Sequence, residues 1–454
     1  MLHEIAELQM NYLIQLLKDE HKTRNVFGVL NEYLTTHNCT FRNAVMPTFS
    51  KPYFITPKQA TTMQQIVTVM SQVLNKFILL YLSDKNLQRI LHFSQEEHYL
   101  FSIDPGYSTP LVISRMDAFM NGYDIKFLEF NCDSPAGTGY ADVMEDGFLK
   151  FLDAFPVHDK WRFRCFNRQE KLLGSLLHCY QEFCRDSTAA ASPTIAIVDW
   201  EDVATLSEFN ILKNYFEDRG YPTIITSPQK LAIKNDRLMA NDTPIDIVYR
   251  RVITGELIQR TNEVADFIEA AKRKLVCIAN PFRSYIVGNK KILALLIDPR
   301  FQHIYTREEL NIINQCIPWT QILSDRKVTF NQFNVDLRTF IADNKDRLVL
   351  KPASSYGGKD VYIGNETDDT TWQRILRENI DSERWVVQEF VPIPEDIFPE
   401  ISAERIHMKL KKVNVNPFAL LGKYAGAITR ISDNSVINVS AGGGLIPTIT
   451  AAKK

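Results

Sequence analysis

The chain lacks most of the features that would assign it at a glance. Its seven cysteines (39, 132, 165, 179, 184, 277 and 316) are scattered and contain no CxxC pair. An odd, unpatterned set excludes a disulfide framework or a zinc site and points to a reducing, cytoplasmic compartment. There is no run of about 18 apolar residues, so no membrane span is expected. The start, MLHEIAELQMNYLIQLLKDEHK, is broken by Glu4, Glu7 and Gln9 and reads as an amphipathic helix rather than a signal peptide. Net charge is only −2, so the overall electrostatic footprint of a nucleic-acid binder is missing, although a local basic patch is still possible. Neither GxGxxG nor GxxxxGK[ST] occurs, which removes the sequence support for a dinucleotide fold or a Walker A loop. No Ser/His/Asp or Cys/His arrangement requires a catalytic explanation.

What is present is an ordinary globular composition, 45% hydrophobic and 23% charged, over 454 residues. That length exceeds one core and predicts two to four subdomains. Residues 1–108 read as a helical N-terminal region. TTMQQIVTVMSQVLNKFILLYL (61–82) has helical apolar spacing, and an extended MPTFSKPYFIT precedes it. From 109 to 190 the pattern is a hairpin followed by helices at about 141–155 and 164–185, ending in the small polar linker RDSTAAASPT. Residues 191–280 alternate strands and helices, with GELIQRTNEVADFIEAAKRK read as one helix, and predict a small parallel α/β layer. Residues 281–454 read as α+β.

Five short stretches carry possible chemistry. In FLEFNCDSPAG (127–137), strand alternation puts Leu128, Phe130 and Cys132 on one side and Glu129, Asn131 and Asp133 on the other. Cys132 is therefore expected in the core. Upstream, Arg115 and Asp117 share a face of their own strand. If Asn121-Gly122 formed a two-residue turn, Asp117 would face away from Glu129. An odd loop such as Asn121-Gly122-Tyr123, or a bulge, would bring all four to one side, with Arg115 opposite Glu129. Asp117, Glu129 and the Asn131 amide oxygen would then suit Mg²⁺. A salt-bridged, water-facing hairpin has the same spacing.

VLKPASSYGGKDVYIG places a lysine, Lys351, before a loop of small residues between two strands. Such a loop can cradle phosphates or be a plain hairpin. WVVQEFVP ends an apolar strand at Gln388 and Glu389, where backbone could meet an adenine edge and a carboxylate a ribose. NKKILALL opens a helix with a lysine pair, and AITRIS puts Arg430 on a strand ten residues before SAGGG (440–444). Each of these also has an ordinary structural reading.

Together, and in this order, these pieces resemble the circularly permuted branch of the ATP-grasp superfamily, which includes glutathionylspermidine synthetase-like ligases. The matching stretches span about 109 to 447: Arg115, Asp117, Glu129 and Asn131, then NPF…NKKILALL, VLKPASSYGGK, VVQEF and AITRIS…VSAGGG. In the permuted branch the E-x-N pair precedes the nucleotide lysines, as here. The resemblance implies a permuted ATP-grasp fold in which 191–280 forms a pre-ATP-grasp α/β domain, 281–454 the nucleotide-binding domain and 109–190 the permuted part of the core. It implies ATP and Mg²⁺ as cofactors. Lys290 (chosen over Lys291 by register) and Lys351 would hold phosphates, and Ser354, Ser355, Gly357 and Gly358 would form a lid. Gln388, Glu389, Phe390 and Val391 would be the adenine hinge, Asp117, Glu129 and Asn131 the metal ligands, and Arg115 and Arg430 the groups that stabilise the transferring phosphoryl. The implied activity is ADP-forming carboxylate–amine ligation, with small-molecule carboxylate and amine partners. A small-molecule kinase or a degenerate nucleotide-binding protein is the alternative. Oligomeric state is not legible.

Overall fold

A computed structural model describes every residue except 1, 158, 186–188, 356, 403–404 and 440–441. The chain begins with helices α1 (Leu2–Lys18) and α2 (Glu20–Thr36). Strand β1 (Tyr53–Ile55) then leads into the long helix α3 (Pro57–Ser83). Thr56 starts α3 through a reciprocal capping box with Gln59, and Pro57 occupies its first turn, where a missing N–H costs nothing. By length and mean hydropathy α3 could cross a membrane, yet over half of its most apolar window is buried inside the fold. Met63, Val67, Met70, Leu74, Phe77 and Ile78 form the face that does so.

The site depends on one large sheet. Besides β1 its main strands are β2 (Ile113–Asn121), β3 (Asp124–Asn131), β4 (Ile406–Leu420), β5 (Lys423–Ser432) and β6 (Gly444–Lys453), with Glu395–Ile401 pairing on β4 and Trp161–Arg164 on β6. They run in the order β1-β6-β5-β4-β2-β3, so strands nearly 300 residues apart are hydrogen-bonded neighbours. Only β1 pairs in parallel; the rest are antiparallel. Helices Thr138–Asp153 and Arg168–Phe183 and the N-terminal helices share the core of this sheet.

Residues 195–279 contain the expected parallel layer. Its four strands, Ile195–Val198, Thr223–Thr226, Ile247–Arg250 and Cys277–Ala279, are arranged with the first and third in the centre. Two details depart from the sequence reading. The single helix expected after Arg251 is two short ones, Thr254–Gln259 and Ala265–Lys272, separated by a 3₁₀ turn at Thr261–Glu263. Thr261 and Asn262 are poor helix formers, and burying Val264 outweighs continuity. A three-stranded antiparallel meander (231–244) was not anticipated. Its signal was Asn235-Asp236, both at positive φ, the turn type that closes a two-residue hairpin.

The nucleotide lobe expected within 281–454 is a second, separate core. Strands β7 (Thr320–Ile322), β8 (Leu348–Pro352), β9 (Tyr362–Ile363) and β10 (Trp385–Glu389) form a sheet in the order β7-β10-β8-β9 (these four labels follow the large sheet's). Leu348, Leu350 and Val387 point from one face into a cluster with Trp372, Ile341 and Ile375. The segment 281–454 therefore contributes to two cores, because 406–453 belongs to the large sheet.

Candidate active site

The hairpin β2–β3 shows how the polar face is made. Its loop is the two-residue Gly122-Tyr123, with Asn121 opposite Asp124. Gly122 sits at φ +62, a conformation glycine adopts without strain. An even loop alone would put Asp117 and Glu129 on opposite faces. A bulge corrects this: Ala118 pairs with Phe127, but Asp117 pairs with Glu129, leaving Leu128 unpaired. All four polar residues then face one cleft. Arg115 lies opposite Asn131, not opposite Glu129 as the spacing predicted. Leu128, expected beside Phe130 and Cys132, instead lines the cleft, while Cys132 is buried.

The cleft, about 950 Å³ including its solvent-open part, lies between the large sheet and the lobe built on β7–β10. Arg115, Asp117, Glu129, Asn131, Lys290, Lys351, Gly357, Gly358, Gln388, Glu389, Phe390, Val391 and Arg430 all line it. Ser354 and Ser355 do not, although the Ser355 carbonyl accepts from Lys290 Nζ at 2.6 Å. Of the SAGGG stretch, Ser440 and Ala441 lie outside the described residues.

The charges are interlocked. Arg115 Nε donates to Asp117 Oδ1 at 2.9 Å, and Arg430 Nη1 donates to Asp117 Oδ2 at 2.8 Å. Burial pushes the Asp117 carboxyl up, but the two guanidiniums outweigh it and hold it below its usual value. Lys290 Nζ lies 3.1 Å from Glu129 Oε2, and its backbone N–H donates to the Ala353 carbonyl at 2.8 Å. Lys291 points elsewhere, donating to the carbonyls of Ile90 and Leu91. Lys351 Nζ donates to Gln388 Oε1 at 2.7 Å. Burial pushes its ammonium down to about 8; Glu129 opposes that shift and Lys290 adds to it.

Apolar side chains complete the lobe side: Val349, Val361, Ile363 and Ile393. The backbone N–H groups of Glu389 and Phe390 already donate to the Trp319 and Arg347 carbonyls at 2.8 Å. Val391 lines the cleft, and its N–H has no protein acceptor among the described residues. Sequence reasoning missed Asn414 and the segment 435–438, which close the far wall. Asn414 pairs with Arg430 across β4 and β5, a neighbour relation that no local pattern reveals.

This architecture has counterparts among solved structures. A glutathione synthetase-like effector from Globodera pallida, in its apo form, superposes with a TM-score of 0.62 over 93% of this chain and 96% of that one, at 10% identity. The two share a fold. At that identity the glutathione synthetase-like fold is all the likeness establishes. A putative gamma-glutamylcysteine synthetase from Methylobacillus flagellatus covers 81% of this chain and 83% of its own, at 11% identity and a TM-score of 0.38. D-alanyl-alanine synthetase A from Vibrio cholerae covers 50% and 68%, at 14% identity and 0.29. These two scores are too low to argue from. No protein-family model matches the sequence, and no curated protein matches it.

Within the glutathione synthetase-like fold the donor set can be tested against Mg²⁺. Glu129 offers a carboxylate and Asn131 an amide. The Asn131 Nδ2 is buried with no hydrogen-bond partner among the described residues, and an amide flip would exchange it for its oxygen. Hard oxygen donors in that number fit Mg²⁺, which keeps its other positions for water and phosphate. Asp117 fits less well, because both its oxygens already accept from arginines.

Proposed function

We propose that this chain is an ATP-dependent carboxylate–amine ligase with a circularly permuted ATP-grasp core, forming an amide through an acyl phosphate and releasing ADP and phosphate. One observation carries the reading: cations, hard oxygen donors and an apolar hinge from five separate stretches converge on one cleft between two cores. The name of the solved counterpart that shares the fold, a glutathione synthetase-like effector, agrees with the reaction class.

A carboxylate resists attack by an amine because its leaving group would be oxide. Phosphorylation replaces that leaving group with phosphate. Phosphoryl transfer needs mainly positioning and charge neutralisation. Lys290 and Lys351 supply charge to the phosphates. Val349, Ile363 and Phe390 sandwich the base, and the Val391 N–H reads its edge. Arg115 and Arg430, aligned by Asp117, neutralise the transferring group and the acyl phosphate. Asp117 is thus assigned as an arginine clamp, in place of the metal-ligand role its spacing had implied. Mg²⁺, held by Glu129 and Asn131, would neutralise phosphate charge. The glycine loop excludes water that would hydrolyse the intermediate. Substrates are small carboxylates and amines, among them amino acids, peptides and polyamines. Seven free cysteines fit a reducing cytoplasm.

The test is ADP release with pooled carboxylates and amines. Activity should need both substrates, and Glu129→Gln should lower it about 10²–10³-fold, by analogy with loss of one oxyanion donor. Absence of any carboxylate- and amine-dependent ADP release would sink the ligase reading. A stable phosphorylated product resistant to hydroxylamine would make the protein a kinase instead.

A further inference from the structure

A polar chain leaves the cleft through the nucleotide lobe. Across its sheet, Thr320, Gln388, Val349 and Ile363 pair in a single row. The last three line the cleft, whereas Thr320 is fully buried behind them. The Thr320 hydroxyl donates to the Pro318 carbonyl at 2.9 Å. A hydroxyl has one proton, so toward Gln388 it can only accept. Gln388 Nε2 lies 3.1 Å from it, which leaves Oε1 to accept from Lys351 Nζ at 2.7 Å. The opposite amide orientation would set an NH₂ group against the ammonium.

We infer that Thr320 is a positioning residue for nucleotide binding: by fixing the amide of Gln388, it holds the Lys351 ammonium where the phosphates must sit. The inference rests on the nucleotide-site reading above. Among the described residues, Gln388 Oε1 is the only hydrogen-bond acceptor of Lys351 Nζ. The ammonium is buried, and Glu129 and Lys290 are the charged groups that face it. A buried ammonium depends on its acceptor, because water cannot replace it. Register alone explains why Thr320 reaches Gln388. The two are direct partners on adjacent antiparallel strands, and Lys351 is a diagonal neighbour two residues along β8 from Val349.

The experiment measures Mg-ATP dissociation constants on the full chain by titration calorimetry. Thr320→Val keeps the shape and removes the acceptor; Thr320→Ser keeps the acceptor. Thr320→Val should weaken binding about tenfold, the low end of a charge-assisted hydrogen bond, while Thr320→Ser stays within about twofold of wild type. In a Lys351→Met background, Thr320→Val should cost nothing further, since the lysine it positions is gone. Thr320→Ala, which also removes the acceptor, serves as the second variant if Thr320→Val does not fold, with the same tenfold loss and the same disappearance in Lys351→Met. Equal losses with and without Lys351, or wild-type affinity in the variants, would overturn the role of Thr320. If the wild type binds no Mg-ATP at all, the nucleotide-site reading fails instead.

Discussion

Asp117→Asn tests the most connected charge in the cleft. The carboxylate is 3% exposed and accepts from Arg115 and Arg430 on two different strands. Removing one partner of a buried ion pair costs about 3–5 kcal/mol, since the remaining charges stay desolvated. Asparagine keeps one acceptor, so the low end applies, about 3 kcal/mol. At roughly 2 °C per kcal/mol for a protein of this size, the melting temperature should fall by about 6 °C. The pH dependence is equally specific. The folded-state carboxyl lies below its ordinary value of 3.8. A depressed value means that the stabilisation is present above the unfolded pKa and is lost only as pH falls through the folded one. The gap between wild type and variant should therefore stay constant from pH 8 down to about pH 4. Scanning fluorimetry of both proteins across that range measures it. A variant as stable as wild type, or a gap that closes between pH 7 and pH 5, would refute the clamp.

Three further outcomes are expected. Because burial sets the Lys351 ammonium at about 8, Mg-ATP affinity should hold below that pH and decline above it as the lysine loses its proton. Lys351→Arg, which stays charged, should show no decline in the same titration. Lys290→Met should weaken Mg-ATP binding with little change in melting temperature. Lys291→Met should do the reverse, because Lys291 serves the carbonyls at the end of the Lys85–Leu91 helix. Gly358→Ala meets two obstacles, a φ of +73 and a new Cβ 2.3 Å from Val436 Cγ1. Binding kinetics should show faster Mg-ATP dissociation, and strain of about 1–2 kcal/mol should lower the melting temperature by about 2–4 °C.

Legibility varied with distance along the chain. The sequence named Glu129 and Asn131 as one face of a strand because that face depends only on the period of two. It named Lys351 and Gln388 through their strand ends. It could not choose firmly between Lys290 and Lys291, since both open the same short helix; packing sends one to the cleft and the other to a helix end. It misplaced Leu128 because a bulge interrupts the period, and no local residue announces it. Asn414, Thr320 and the 435–438 wall went unseen because the neighbours each one meets come from distant parts of the chain.

What the sequence determined by itself was the set of short-range relations: which residues alternate together, where helices start, and that a glycine loop follows a lysine. These are properties of the local backbone and survive any tertiary arrangement. Only the tertiary structure decided what the polar groups touch. Asp117 is bound by two arginines because Arg430, 313 residues away, is brought within 2.8 Å by the order of strands in the large sheet. The cleft itself exists because two hydrophobic cores close separately and leave their polar faces toward each other. Pairing between distant strands is set by the burial of both at once, and no single stretch of sequence contains that information.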